Sequence, residues 1–281
     1  MNTAYLVGLL FSVVAAPPEV TSLEDALKKP AGVVRLNLAR KSVAAIPADI
    51  QKLKKLKELD LSYLPIEDLP KELAALDKLE VLVLRCTGLK KLPDVVAELK
   101  GLKVLDVSAA QDCDDSLKAS KETLALIGKM TGLKELRMPM MRLKTVPAEI
   151  LKLTALRALD LSYNDLSALP PAISGLSELE DLNLAGNEIA KFPAELATLK
   201  KLAFLNLSEQ REKKLKTVGA ELGGIVTLRT LDLTANDVAA LPPEISALKK
   251  LTKVRLSGNP LPDDQIAALK KALPKTKVEF E

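Results

Sequence analysis

An apolar residue opens the pattern LxxLxLxxN, or a close variant of it, at Val33, Leu56, Leu79, Leu102, Leu133, Leu156, Leu179, Leu202, Leu228 and Leu251. Successive copies lie 23 residues apart, except for intervals of 31 after Leu102 and 26 after Leu202. A unit this short cannot enclose its own apolar face, so it must stack on copies of itself. The chain is therefore constrained to a solenoid, which lets 281 residues form one domain larger than an ordinary globular core.

The copy from Leu156 to Leu176 shows the chemistry of one turn. Leu159 and Leu161 alternate with Ala158 and Asp160, so a short strand directs its leucines inward and its other residues outward. By register, Leu59, Leu82 and Leu182 are inward too. The return half carries Leu169, Pro170, Ile173 and Leu176, and spacings of three and four predict a helical or 3₁₀ turn on the opposite side. Proline recurs at Pro47, Pro70, Pro93, Pro147, Pro170, Pro193 and Pro242, at the start of that turn, where it sacrifices no internal hydrogen bond. Two copies depart from the pattern. Repeat four has eight extra residues around Gln111 to Ser120 and Thr123-Leu124 in place of Leu-Pro; repeat eight has three extra around Arg211 to Lys214 and Val218-Gly219 at that position. Insertions in a solenoid are expected to leave as loops.

The string LxxLxLxxNxLxxLPxxIxxL resembles the Ras-group leucine-rich-repeat proteins of plants and the related animal Ras-pathway scaffolds. It is similar as well to bacterial leucine-rich-repeat proteins, in which a segment like Ser22 to Pro30 precedes the first repeat. The matching residues are almost all core, so the resemblance is specific for fold and weak for function. It implies an α/β horseshoe: a concave parallel sheet, convex short helical or 3₁₀ turns, and a helical cap at each end. It also implies that the Asn after the strand, here Asn164, Asn187, Asn236 and Asn259, forms a ladder of bonds to buried backbone groups of neighbouring turns. Lys41, Leu64, Thr87, Ala110 and Met141 hold that position in the first five repeats, so the ladder is expected mainly in the second half.

The expected organisation is a signal peptide over 1–15, an N-terminal capping helix within 16–32, ten repeats over 33–259 and a C-terminal cap over 260–281. Met1 to Ala16 carry no charged side chain, and Leu6 to Val14 form an apolar run too short to span a bilayer. This resembles a secretory signal peptide cleaved after Ala15, although Met1 to Tyr5 lack a basic residue. An N-terminal strand or an uncleaved anchor is the alternative. Ser22 with Asp25 resembles a capping box. At the other end Asp263 is expected to cap a helix running to about Leu273, followed by a strand over Lys277 to Phe280.

The chain has no histidine, which removes Ser-His-Asp, Cys-His and His-containing zinc arrangements. It has no GxxxxGK[ST] or GxGxxG. We therefore expect no catalytic, metal or cofactor residues. A formal charge of +4 spread over 41 basic and 37 acidic side chains, with aromatics at 2%, argues against nucleic acid. Cys86 ends the strand of repeat three, Ala109 is its neighbour one repeat on, and Cys113 follows four residues later. With strands about 4.8 Å apart the two thiols are near enough to bond, two free thiols being the alternative.

The outward strand positions of a solenoid share one rigid surface. Tyr63, Val83, Arg85, Asp106, Arg137, Met140, Asp160, Tyr163 and Phe204 occupy such positions or the residue just after the strand, where the fold should gain little from them. The reading is a monomeric, non-enzymatic, exported bacterial protein, secreted or periplasmic, that binds another protein through this face. An intracellular signalling scaffold and an extracellular glycan or cell-wall recognition protein are the alternatives.

Overall fold

A computed structural model describes residues 18–110, 113 and 117–280. The expected signal peptide lies outside the described residues, as does most of the insertion between 111 and 116. The strands are β1 (Glu19–Val20), β2 (Arg35–Asn37), β3 (Glu58–Asp60), β4 (Val81–Val83), β5 (Val104–Asp106) and β6 (Glu135–Arg137). They continue with β7 (Ala158–Asp160), β8 (Asp181–Asn183), β9 (Phe204–Asn206), β10 (Thr230–Asp232), β11 (Lys253–Arg255) and β12 (Lys277–Glu279). All pair in parallel, in chain order, as one 12-stranded sheet. Repeat strands thus number ten as expected, β12 closes the C-terminal edge, and β1 is an addition that the helical reading of the N-terminal cap did not foresee.

Each repeat strand is only three residues long because one turn has only one inward residue to pin there. Leu59, Leu82, Leu105, Leu136, Leu159, Leu182, Leu205 and Leu231 are fully buried at the strand centres. They stack in register, Leu59 beside Leu82 and Leu159 beside Leu182. Burial of a leucine contributes about 1.5–3 kcal/mol, but only once the next turn covers it, so stability is a property of neighbours.

The turn leaving each strand has its own repeated chemistry. The last strand residue, Asp or Asn, accepts a backbone bond from two residues on: Asp60 from Ser62 at 2.8 Å, Asp160 from Ser162 at 2.9 Å, Asn206 from Ser208 at 2.9 Å. The next residue is left-handed. Arg40, Tyr63, Cys86, Met140, Tyr163, Gly186, Glu209, Ala235 and Gly258 all have φ between 54° and 70°. For a non-glycine residue this conformation costs roughly 1 kcal/mol or more, so it persists because surrounding bonds over-determine it. The Tyr163 amide, for example, donates to the Ala185 carbonyl at 2.7 Å, in the next repeat.

Immediately afterwards comes the buried amide. Asn187 donates to the carbonyls of Leu161 and Leu184 at 3.0 and 2.9 Å and accepts from the Leu166 amide at 3.0 Å, joining adjacent turns. Asn164, Asn236 and Asn259 make the corresponding bonds. The ladder does not skip repeat eight. Gln210, 1% exposed, donates to the Leu184 carbonyl and accepts from the Ile189 amide, both at 2.9 Å. In the first half Leu64 and Met141 fill the position as buried apolar groups, while the Thr87 hydroxyl donates to the Leu84 carbonyl.

The convex side is made of 3₁₀ turns such as Lys71–Ala75, Pro171–Gly175 and Pro243–Ala247. Proline precedes the turn with extended ψ, and its carbonyl accepts the first bond, Ile173 N–H to Pro170 at 2.9 Å. Helix α1 (Leu23–Lys28) is capped by the Ser22 hydroxyl, which accepts from the Asp25 amide. Repeat four carries helix α2 (Lys121–Ile127), capped by Ser120. Its Thr123 is fully buried, and the hydroxyl accepts from the Leu92 amide at 3.1 Å, which explains a polar residue where other repeats have Leu. Helix α3 (Asp263–Ala272) corrects one expectation: Pro262 holds the cap position and Asp263 is the first helical residue, without a capping bond. Its carboxylate still lies where the positive end of the helix favours it.

Asn187→Ala and Gln210→Ala are each expected to lower stability by about 1–3 kcal/mol, because each strands buried backbone groups in two turns. Urea denaturation against a Lys200→Ala control measures this. An unchanged midpoint for Gln210→Ala would remove it from the ladder.

Candidate functional site

Because only the strand centre points inward, each strand presents two residues to the concave face, one before and one after its leucine. Along the sheet these columns form distinct zones. At the first repeats Arg35 pairs with Glu58 at 2.6 Å. Beside them the Arg40 guanidinium stacks over the Tyr63 ring at 3.8 Å, and that of Arg85 lies 5.8 Å from the same ring. Val81, Val83 and Val104 make an apolar band on β4 and β5. Next comes a charged cluster on β5 to β8: Asp106, Glu135, Arg137, Asp160 and Asp181. Phe204 with Asn183 and Asn206 follows, and the last strands close with Arg255 held between Asp232 and Glu279, both at 3.0 Å.

The anticipated residues divide among these zones. Asp106, Arg137 and Asp160 fall in the central cluster, Tyr63 and Arg85 form the Arg-Tyr group, Val83 lies in the apolar band, and Met140 and Tyr163 lie at the turns flanking the cluster. Tyr63, Val83, Arg85, Met140 and Phe204 are half-buried. Three assignments need correction, since the fold does gain from these side chains. Asp106 and Asp160 are buried, and one oxygen of each is bonded to the Ser108 or Ser162 amide at 2.9 Å, which fixes the turn. Tyr163 is 40% exposed, yet its ring lies flat over Gly186 and its hydroxyl donates to Glu209 two repeats away at 3.0 Å. A Cβ at position 186 would sit 2.4 Å from the ring, so the stacked tyrosine favours glycine there for space, while the left-handed φ alone is tolerated by other residues at the same turn. Burial and the neighbouring Glu209 push the Tyr163 hydroxyl up to about 12, so it donates as a neutral phenol.

Two members of the central cluster were missed, Glu135 and Asp181, because they precede the strand leucine. The same alternation places that position outward, so the signal was the xLx pattern read on both sides. Arg137 contacts Glu135 at 2.5 Å and Asp106 at 3.6 Å. Asp181 is 7% exposed and its Oδ1 has no hydrogen-bond partner. Burial first, then the Asp160 and Glu135 carboxylates, raise its pKa to about 7 against the pull of Arg137. Burial raises Glu135 also, despite its contact with Arg137.

Cys113 and Arg211, one described residue from each insertion, are bonded to neighbouring repeats. A disulfide joins Cys86 to Cys113, with Cα atoms 5.6 Å apart, tying the repeat-four insertion to the turn after β4. In repeat eight Arg211 reaches the Asn164 carbonyl at 2.5 Å, Asp165 at 2.6 Å and Glu188 at 3.4 Å. Arg211 is thus a strap across the turns of repeats six and seven.

Residues 102–229 match the family described as a leucine-rich repeat region. The fold is that of a leucine-rich-repeat solenoid. Solved structures of the same fold include an internalin, InlF, of Listeria monocytogenes, with a TM-score of 0.63 and 19% identity over 94% of this chain and 80% of that one. The functional domain of InlJ, from Listeria monocytogenes as well, gives a TM-score of 0.62 and 21% identity over 93% of this chain and 51% of that one. The plant peptide hormone receptor RGFR1, solved in complex with RGF2, gives 0.57 and 24% over 94% and 46%. No curated protein matches at a significant level. Among the described residues no helix is long and apolar enough to cross a membrane.

The raised pKa of Asp181 has a sign in stability. Below about pH 3.8 the carboxyl is protonated in folded and unfolded chains alike; between there and about 7 only the unfolded chain ionises, so stability falls as pH rises, and above 7 the full cost is present. Asp181→Asn is therefore expected to match the parent near pH 4 and exceed it by about 1–4 kcal/mol at pH 8. Thermal melts across that range check it; a pH-independent difference would contradict it.

Proposed function

We propose that this chain is an exported, monomeric, non-enzymatic binding protein that takes a protein partner on its concave face. One observation carries the reading: the single parallel sheet displays the half-buried side chains of Tyr63, Val83, Arg85 and Phe204 at its outward strand and turn positions. Tyr63, Arg85, Arg137 and Phe204 add the aromatic and guanidinium character that dominates interface energetics. The receptor similar in fold, solved in complex with RGF2, is an instance of such a solenoid holding a partner.

Export is supported by two features. The apolar N-terminus has signal-peptide character, and a disulfide such as Cys86 to Cys113 persists in oxidising compartments and is rare in reducing ones.

A photo-crosslinking residue at Asn183, on the sheet, is expected to capture one discrete protein in the source organism, whereas the same residue at Lys200, on the convex side, captures none. Capture only from Lys200 would move the site to the other surface. In the unreduced native protein, intact-mass measurement is expected to give a chain starting at Ala16 and lighter by about two hydrogens than its reduced form. A chain that retains Met1 and two free thiols would contradict export.

A further inference from the structure

One arginine stands where the turn after the strand otherwise holds a small residue. Ser62, Ser108, Ser162, Ala185 and Ser208 fill that position in other repeats and are all buried. Repeat three has Arg85 there, and Val83, two residues earlier, takes the place of the Asp that accepts the turn's backbone bond in the repeats on either side, Asp60 and Asp106. The turn thus loses a local bond and gains a long cation, which its own geometry does not require. Only Nε of that guanidinium is buried without a partner, so the Nη atoms remain at the surface.

The charge balance points the same way. Arg35, Arg137 and Arg255, the arginines within the strands, each contact two carboxylates. Among the described residues Arg40 and Arg85 contact none, yet both are gathered at one ring. Their guanidinium carbons lie 3.8 and 5.8 Å from the Tyr63 centroid, and therefore within about 10 Å of each other. The Tyr63 hydroxyl has no partner among the described residues either, whereas that of Tyr163 donates to Glu209. Arg40 is exposed, and Tyr63 and Arg85 are half-buried, so an incoming group reaches all three from solvent. Val81 and Val83, half-buried on β4, lie just before Arg85 in the chain.

We propose that Arg40, Tyr63 and Arg85 form an anion subsite that receives an acidic segment of the partner polypeptide, one side-chain carboxylate to each guanidinium. This rests on the concave-face reading above and narrows it to a partner with closely spaced acids. In an extended peptide, residues i and i+2 rise on the same side roughly 7 Å apart, a spacing that suits two guanidinia gathered at one ring. Guanidinium and carboxylate pair through short, charge-assisted, bidentate bonds, and the phenol adds a further donor. Apolar side chains beside the acids would cover Val81 and Val83.

The probe for the test is the peptide acetyl-Glu-Ala-Glu-amide, titrated into the full disulfide-bonded chain and followed by backbone amide and arginine Nε–H chemical shifts, with acetyl-Gln-Ala-Gln-amide and inorganic phosphate in parallel at fixed ionic strength. Saturable shifts centred on Arg40, Tyr63 and Arg85 are expected with the acidic peptide, weakening as salt is raised, and none with the glutamine peptide. Arg40→Gln and Arg85→Ser should each weaken binding about tenfold or more, the scale of a lost bond to a charged group. Arg85→Ser installs the small residue of the neighbouring turns, so its melting temperature should hold or rise; a fall would mark Arg85 as structural and overturn the proposal. Shifts spread over the surface, equal binding of the glutamine peptide, tighter binding of phosphate, or an unaffected Arg85→Ser variant would each overturn it as well. So would binding that appears only after Asp112, Asp114 and Asp115 are changed to Asn, since the chain's own carboxylates would then be the occupant. If the acidic peptide fails while the crosslinker at Asn183 still captures a protein, the subsite is wrong and the concave reading stands; if both fail, the concave reading falls with it.

Discussion

Every turn of this protein leaves backbone amides and carbonyls whose partners exist only in the adjacent turn, and the rest of the structure depends on that borrowed hydrogen bonding. The strand ladder supplies part of it. Beyond the strand, where the chain must reverse through a left-handed residue and enter the interior, Asn164, Asn187, Gln210, Asn236 and Asn259 supply the rest by bridging carbonyls of two turns at once. Leucine burial provides the free energy, but the amides determine where each turn must sit relative to the next. That is why the outward side chains are displayed with so little freedom.

Fold was legible to the degree that it is periodic. The 23-residue interval located the inward leucines, the convex prolines and the sheet, because each meets a local requirement that recurs along the chain. Gln210 escaped because its side chain is one methylene longer than the pattern residue, although it sits in the same register. Strand β1 escaped because two residues at an edge carry no periodicity. Asp263 was misplaced by a single residue, with Pro262 taking the cap, since proline's fixed φ suits that position as well.

The site was legible only in part, for a different reason. Concave positions follow from alternation, so Tyr63, Arg137 and Phe204 could be placed there directly. Whether a displayed side chain is free or committed depends on contacts several repeats apart, which no local pattern encodes. Asp160 is committed to its own turn, Tyr163 to Gly186 and Glu209, and Arg211 to repeats six and seven. Asp181 differs from these only in lacking a partner, and that lack is a property of the assembled sheet.

The account therefore hinges on a rigid concave face that holds one uncompensated carboxylate. The pH titration of the Asp181 side-chain carboxyl by carbon-13 chemical shift tests this most directly. A midpoint near 7 is what the account predicts. A midpoint near the ordinary 3.8 would contradict it, since the carboxylate would then be compensated within the protein.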